Sequence, residues 1–393
     1  MTPSRPWSCF RARRSKEASS SARVAGRPTT IGVISHGPST RWDSGQTRTE
    51  FLTNRSGHAV VKGAMGNNAA PHGGYDSVAS IKAGELLDLH YDIGGGLYKM
   101  WASPSSVLAA IVLGWAGCDH PAQLHYGWDL ASAASLDDAI RDTTRRAFDL
   151  LNVGEVSAPL IFEPGCGIGG AATDIALLRP DCEVIGMSVV RAQVETARRR
   201  ADALALRNAT FCHGNYLATP FDDCSFDGIY AIESLCYTPA NERPALFAEL
   251  HRLLRPGSRM VVMDGCTCRA PQNEEERGYV RDVLAGWTFP APCTPDEFRE
   301  LAIQAGFEMV EQRDVTRSVY DSARRIAAIA RYALLPLTQV ASLPGIGRLL
   351  SSLGFGSPNH ARRFVAACLS QLAVFDLGLG AYYLHVLRKP PDA

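Results

Sequence analysis

No apolar run in this 393-residue chain is long enough to cross a bilayer. The longest, Val107 to Cys118, falls well short of the roughly 18 residues a spanning helix needs and reads as a buried helix. Net charge is also missing, because 40 Lys and Arg meet 40 Asp and Glu. General attraction to nucleic acid or to an anionic membrane is therefore not expected. The eleven cysteines contain no Cys-x-x-Cys pair, and Cys266 and Cys268 have no histidine cluster beside them to complete a zinc site. No metal is expected, and the thiols read as reduced groups of a cytoplasmic protein. What remains is a chain large enough to bury a full core, with a compact or apolar small molecule as its natural partner. A homo-oligomer is left open.

Residues 1–64 are short of acid and of apolar periodicity. Eleven Arg and Lys side chains there face only Glu17, Asp43 and Glu50, amid Ser, Thr and Gly, the composition of a disordered basic extension. An Arg- and Ser-rich leader has the make-up of a transit peptide, but no amphipathic helix is visible. Met65 reads as a start, and the preferred reading is an extension that takes no part in function. Residues 75–134 read as an N-terminal helical cap.

From Ser135 the chain alternates strand-like and helix-like segments, the pattern of an α/β fold with a doubly wound, mostly parallel sheet. Ser135 with Asp138 opens a helix whose Leu136, Ile140, Ala147, Phe148 and Leu151 share a face. Strands are expected at 158–163, 183–187, 209–213, 226–232 and 259–264. Helices are expected at 193–204 and 240–254, the second stopped by Pro256-Gly257. Thr294-Pro295-Asp296-Glu297 is a capping box with proline at the first helical position. It opens a helix ended by Gly306, before a sixth strand at 307–316. Helical sequence then fills 317–379, until Ala381 to Arg388 reads as a last strand with Tyr382, Leu384 and Val386 on one face. That strand is expected to pair antiparallel with the sixth, leaving the helical insertion at one end of the sheet as a lid or substrate wall. The division is thus a core over 135–316, a lid over 317–379 and a final core strand over 380–390.

Leu160 to Gly170 runs from an apolar strand through a glycine turn into a helix, which lets the backbone approach a ligand at the carboxyl end of the sheet. Gly165, Gly167 and Gly170 satisfy G-x-G-x-x-G, so a nicotinamide site has to be weighed. Against it, the second strand ends Gly186-Met187-Ser188 without the acid that holds a ribose. Glu163, just before the turn, would repel a pyrophosphate and attract an ammonium.

In these motifs the sequence resembles the class I S-adenosylmethionine-dependent methyltransferases, and within them the carbon-methylating branch of sterol, tocopherol, prenyl diphosphate and cyclopropane-forming enzymes. The resemblance covers Tyr91 to Pro390. It implies S-adenosylmethionine as cofactor, held by Glu163, Gly165, Gly167 and Gly169 in the first motif. Ser188, Val189 and Gln193, in Gly-Met-Ser-Val-Val-Arg-Ala-Gln, would hold its ribose. Asn215 and Tyr216 would read adenine, with Asn215 standing where the family usually has Asp. Tyr230 to Tyr237 is similar to the Ala-x-Glu-x-x-Cys-His segment of sterol methyltransferases. It makes Glu233 the candidate base, against the plainer reading of a buttress for the cofactor loop.

Tyr91-Asp92, Tyr98, Trp101 and His125-Tyr126-Gly127-Trp128 resemble the family's aromatic N-terminal elements. Tyr98, His125 and Tyr126 are therefore candidates for the reacting site, although aromatic clusters more often fill a core. Trp287 reads equally as pocket lining or as packing. Six insertion arginines, Arg324, Arg325, Arg331, Arg348, Arg362 and Arg363, read either as partners for a substrate diphosphate or as a solvated face. The resemblance implies methyl transfer to a carbon of a terpenoid, sterol-like or prenyl substrate. Oxygen or nitrogen methylation of another natural product is the alternative, and a non-catalytic metabolite binder is the reading from a different class.

Overall fold

The computed structural model describes residues 123, 125–288, 290–340 and 358–391. The basic extension, Tyr91, Asp92, Tyr98, Trp101, Val107 to Cys118 and Arg348 lie outside the described residues.

Ser135 caps the first helix, α1 (Leu136–Leu150), by accepting from the Asp138 N–H at 3.1 Å while its hydroxyl donates to the Asp138 carboxylate. There follow β1 (Leu160–Pro164), α2 (Gly170–Leu178), β2 (Glu183–Ser188), α3 (Arg191–Ala203), β3 (Ala209–His213) and β4 (Phe226–Ile232). Next come α4 (Arg243–Leu253), β5 (Leu254–Thr267), α5 (Glu274–Trp287), α6 (Pro295–Gln304) and β6 (Glu308–Asp314). The Thr294 hydroxyl caps α6 through the Glu297 N–H, with Pro295 in the first turn. The insertion holds α7 (Thr316–Ile329), a π-helical turn (Ala330–Leu334), α8 (Leu335–Val340) and α9 (Pro358–Asp376) before β7 (Gly380–Arg388).

The seven strands form one sheet in the order β3-β2-β1-β4-β5-β7-β6, parallel except for β7, which runs antiparallel to both neighbours. Alternation along the strands fills two cores, one on each face. Ile161, Tyr230, Val261, Met263, Tyr382, Leu384 and Val386 face one, and Phe162, Ile229, Ala231, Met260, Val262 and Leu387 the other.

Two expected boundaries are corrected. The helix expected at 240–254 is a short 3-10 turn followed by α4, because Pro244 restarts the helix in its first turn. The fifth strand does not begin at 259, since Leu254 already pairs with Phe226. The next pair is Gly228 with Arg259, so Pro256-Gly257 sits inside an irregular stretch of β5.

The insertion builds a small core of its own from Ile329, Ala330, Leu334, Val365 and Cys368. Trp287 at the end of α5 packs on it, edge-on to Phe364 with ring centroids 5.1 Å apart. Helix α5 therefore belongs with the insertion, which the sequence reading did not anticipate. The two helices approach at Gly286, where a Cβ would collide with Ala367 and the Arg363 carbonyl. Among the described residues no helix is long and apolar enough to cross a membrane.

Gly286→Val is expected to push α5 off α9 and to cost about 1–3 kcal/mol, the usual penalty for overpacking a tight contact. Chemical denaturation of the two proteins measures this directly.

Candidate functional site

Strands β1 and β4 are neighbours in space without being consecutive, and such a switch point opens a crevice at the carboxyl ends of a parallel sheet. The glycine turn fills the β1 side. Gly165, Gly167 and Gly169 all have positive φ, at 79°, 53° and 78°. A Cβ on Gly165 would strike Ser234, and one on Gly169 would lie 2.7 Å from Ala197 and from the Phe211 ring. The Gly165 and Cys166 N–H groups both donate to the Met187 carbonyl, and the Ser234 hydroxyl donates to the Pro164 carbonyl at 2.7 Å. The turn is thus pinned between the end of β2 and the loop after β4.

Glu163 ends β1 with its side chain buried, and its Oε2 has no hydrogen-bond partner among the described residues. The buried Tyr230 hydroxyl also lacks a partner of normal geometry. Burial pushes the Glu163 pKa up to about 8, against the pull of Tyr230 and the Ala172 N–H. A buried carboxylate oxygen left bare is costly unless a ligand donor or cation completes it.

At the end of β2 the Ser188 hydroxyl donates to Gln193 Oε1 at 2.7 Å and accepts from the Val190 N–H. The half-buried Val189 gives its carbonyl to His213. Asn215 Oδ1 accepts from the Leu217 N–H, so the amide shapes the turn after β3. The Tyr216 hydroxyl meets Thr238 at 3.0 Å and the Ser234 carbonyl at 3.3 Å, tying that turn to the loop after β4. These groups line one run of strand ends, and the bare Glu163 oxygen beside a glycine turn fits an S-adenosylmethionine whose ammonium is drawn to it.

Glu233 follows β4 with φ at 49°, a left-handed backbone unusual for a residue with a side chain. Its N–H is held by the Met263 carbonyl at 2.8 Å, and its Oε1 accepts from the Tyr126 N–H at 2.8 Å. Burial raises its pKa to about 8 and the charge of Asp264 adds to the rise, opposed by the Tyr126 N–H and the Tyr382 hydroxyl. Sequence reading missed Asp264. Ile232 and Met263 are paired in register, so Glu233, just past the end of β4, follows beside Asp264 of β5. Asp264 is buried, accepts from the Cys236 and Gly265 N–H groups at 2.9 Å each, and is pushed by burial to about 6. No Arg or Lys among the described residues forms a salt bridge with Glu163, Glu233 or Asp264. The missed signal was an acid ending the wholly apolar run Met260 to Met263.

The structure brings Tyr126 and Glu233 together, and the Tyr126 ring stands edge-on to Tyr382 and Phe375 at centroid distances of 5.5 and 6.1 Å. His125 lies buried behind it. Its Nε2 is 2.7 Å from Gln123 Oε1 and its Nδ1 is 3.0 Å from the Tyr126 carbonyl, while burial lowers its pKa to about 4. Its ring is engaged with protein groups at both nitrogens. Arg324, Arg325, Arg331, Arg362 and Arg363 are all exposed, as on a solvated face.

Residues 161–257 match the family described as a methyltransferase domain. The chain is 33% identical over 183 residues to 24-methylenesterol C-methyltransferase 2 of Arabidopsis thaliana, covering 45% of this chain and 49% of that protein. It is 32% identical over 169 residues to an O-methyltransferase of Pyrenophora dematioidea, covering 40% of this chain and 58% of the other. The chain spans about half the length of the curated relatives it matches. Among solved structures, the cyclopropane synthase MmaA2 of Mycobacterium tuberculosis superposes with a TM-score of 0.60 at 15% identity, covering 78% of this chain and 98% of that one. Residues 161–257 thus carry a methyltransferase domain, the sheet has the fold of the cyclopropane synthase, and the chain is similar to S-adenosylmethionine-dependent methyltransferases of the sterol and prenyl carbon-methylating branch.

Proposed function

We propose that the protein is a cytoplasmic enzyme that methylates a carbon of a terpenoid, sterol-like or prenyl substrate. The observation that carries this reading is Glu233, a buried carboxyl whose pKa burial pushes up to about 8, set beside Asp264 and aromatic rings with no salt bridge to a protein cation among the described residues. Methylating an alkene carbon leaves a carbocation and a proton to be removed. Asp264 and the π faces of Tyr126, Tyr382 and Phe375 supply negative potential for the cation, and ionised Glu233 takes the proton. S-adenosylmethionine, when bound, supplies an electrophilic methyl group. Glu163 would hold its ammonium and Gly165, Gly167 and Gly169 let the backbone come close. Ser188, Val189 and Gln193 would hold the ribose, and Asn215 and Tyr216 the adenine. His125 fixes the Tyr126 backbone from behind.

The exposure of the five described insertion arginines favours a substrate without a diphosphate, and the name of the Arabidopsis relative points to the same sterol-like class. A second reading, oxygen methylation, has the fungal O-methyltransferase relative in its favour, because Glu233 could equally deprotonate a hydroxyl.

Incubation with methyl-labelled S-adenosylmethionine and a panel of sterols, linear triterpenes, prenyl diphosphates and phenols separates the two. Label on an isoprenoid carbon is expected, and label confined to a phenol oxygen would overturn the reading. Glu233→Gln is expected to lower kcat by about 10²–10⁴, the usual worth of a positioned base. Glu233 acts in its ionised form, so the wild-type rate should climb as pH rises through about 8, and this limb should vanish in the Gln variant.

Glu163 gives an independent check. Its folded pKa is raised, so its contribution to stability is full below the ordinary carboxylate pKa and is lost as pH rises through about 8. Glu163→Gln should therefore make the ligand-free protein more stable than wild type at pH 8. The same variant should weaken S-adenosylhomocysteine binding by roughly 10- to 100-fold, the worth of a charge-assisted hydrogen bond. Thermal melts and calorimetry read the two effects separately.

A further inference from the structure

We propose that Gln371, on insertion helix α9, is a positioning residue of the reacting site: it fixes the Tyr126 side chain and, through Tyr126, the carboxylate of Glu233. The importance of Glu233 rests on the function proposed above, whereas the mechanical link does not.

Gln371 is buried in α9, one turn from the buried Ala367 and Cys368 and next to the buried Ser370. Its Nε2 donates to the Cys368 carbonyl at 3.0 Å and to the Ala323 carbonyl of α7 at 3.3 Å. Both amide hydrogens are thereby committed, and turning the amide over would set its oxygen against two carbonyl oxygens. Oε1 can point only one way, and it accepts the hydrogen bond of the Tyr126 hydroxyl. Burial, with the charge of Glu233 as a second cause, drives the Tyr126 pKa far above its ordinary value, so the phenol stays a donor.

Tyr126 is also held along its backbone. Its carbonyl accepts from the Thr143 hydroxyl at 2.9 Å, the next N–H, of Gly127, donates to Ser322 of α7 at 2.9 Å, and its own N–H donates to Glu233 at 2.8 Å. The phenol end of the residue is therefore set by α9 and the amide end by the reacting carboxylate. Phe375, one helical turn beyond Gln371, stands edge-on to the same ring. The insertion contributes more than a cover: two of its helices orient the segment that donates to Glu233.

The test is a four-membered cycle of wild type, Gln371→Met, Tyr126→Phe and the double variant, Met being an apolar side chain of similar length. Amide exchange of the peptide containing Tyr126, followed by mass spectrometry without any acceptor, should be about tenfold faster in each single variant and no faster in the double. In turnover, each single variant should lose about tenfold in kcat, the worth of one buried hydrogen bond, with the KM for S-adenosylmethionine unchanged. The double variant should be no worse than either. Unchanged exchange in Gln371→Met, or losses that multiply in the double variant, would overturn the proposal. If no isoprenoid acceptor is methylated, the function above fails while the exchange cycle still decides this link.

Discussion

Carboxyl groups buried toward the carboxyl ends of parallel strands, with no salt bridge to a protein cation among the described residues, are the constraint on which the rest of this structure turns. Glu163 lies near the end of β1, Glu233 just past β4 and Asp264 in the last third of β5, three consecutive strands of the sheet order, and burial raises the pKa of each. A fold selected for stability alone would place arginines there or replace the acids with apolar groups. Elsewhere the chain does pair its acids, as Arg243 with Glu297, Arg269 with Glu276 and Arg252 with Glu249 demonstrate. The row without ion pairs among the described residues is therefore a local property of the crevice, and under the proposed function a cationic methyl donor or a passing carbocation would complete it.

That row is usable because backbone donors hold it in place without cancelling it. Asp264 takes the Cys236 and Gly265 N–H groups, and Glu233 takes that of Tyr126. An N–H carries a partial charge and orients an oxygen firmly, yet leaves most of the anionic field for a guest. The fixed geometry has a backbone cost, seen in the left-handed φ of Glu233. Met263 holds that conformation through the Glu233 N–H, so the strain is carried by the neighbouring strand and not by the loop itself.

Much of this was legible in the sequence because it is local. Strand periodicity, the Ser135 and Thr294 caps and the glycine turn each depend on residues a few positions apart. The failures are of two kinds. Boundaries moved where proline acts twice: Pro244 begins a helix where one was taken to be already running, and Pro256 is tolerated within β5 because the pairing there is irregular. Missed functional groups were long-range. Asp264 matters because the register of β4 and β5 sets it beside Glu233, and Gln371 because it reaches Tyr126, 245 residues away in sequence. No window of sequence contains both members of either pair. The one local hint was chemical: an acid closing the apolar run Met260 to Met263, and an amide on the buried side of an amphipathic helix, are each expensive to bury without purpose.

The cofactor turn and the reacting carboxylate are also not separable parts. Ser234, the residue after Glu233, donates to the Pro164 carbonyl and fills the space where a Gly165 side chain would sit. A larger residue at Gly165 would therefore displace the loop that carries Glu233 as well as the turn that approaches the ligand. Tyr216 binds the same loop from the third strand through the Ser234 carbonyl. Glycine at the turn is thus required twice, by its own positive φ and by the closeness of β4, and only the first requirement is visible in a motif. The second ties the glycine turn to the loop of the proposed base: the two loops are packed as one body, and Ser234 is the contact between them.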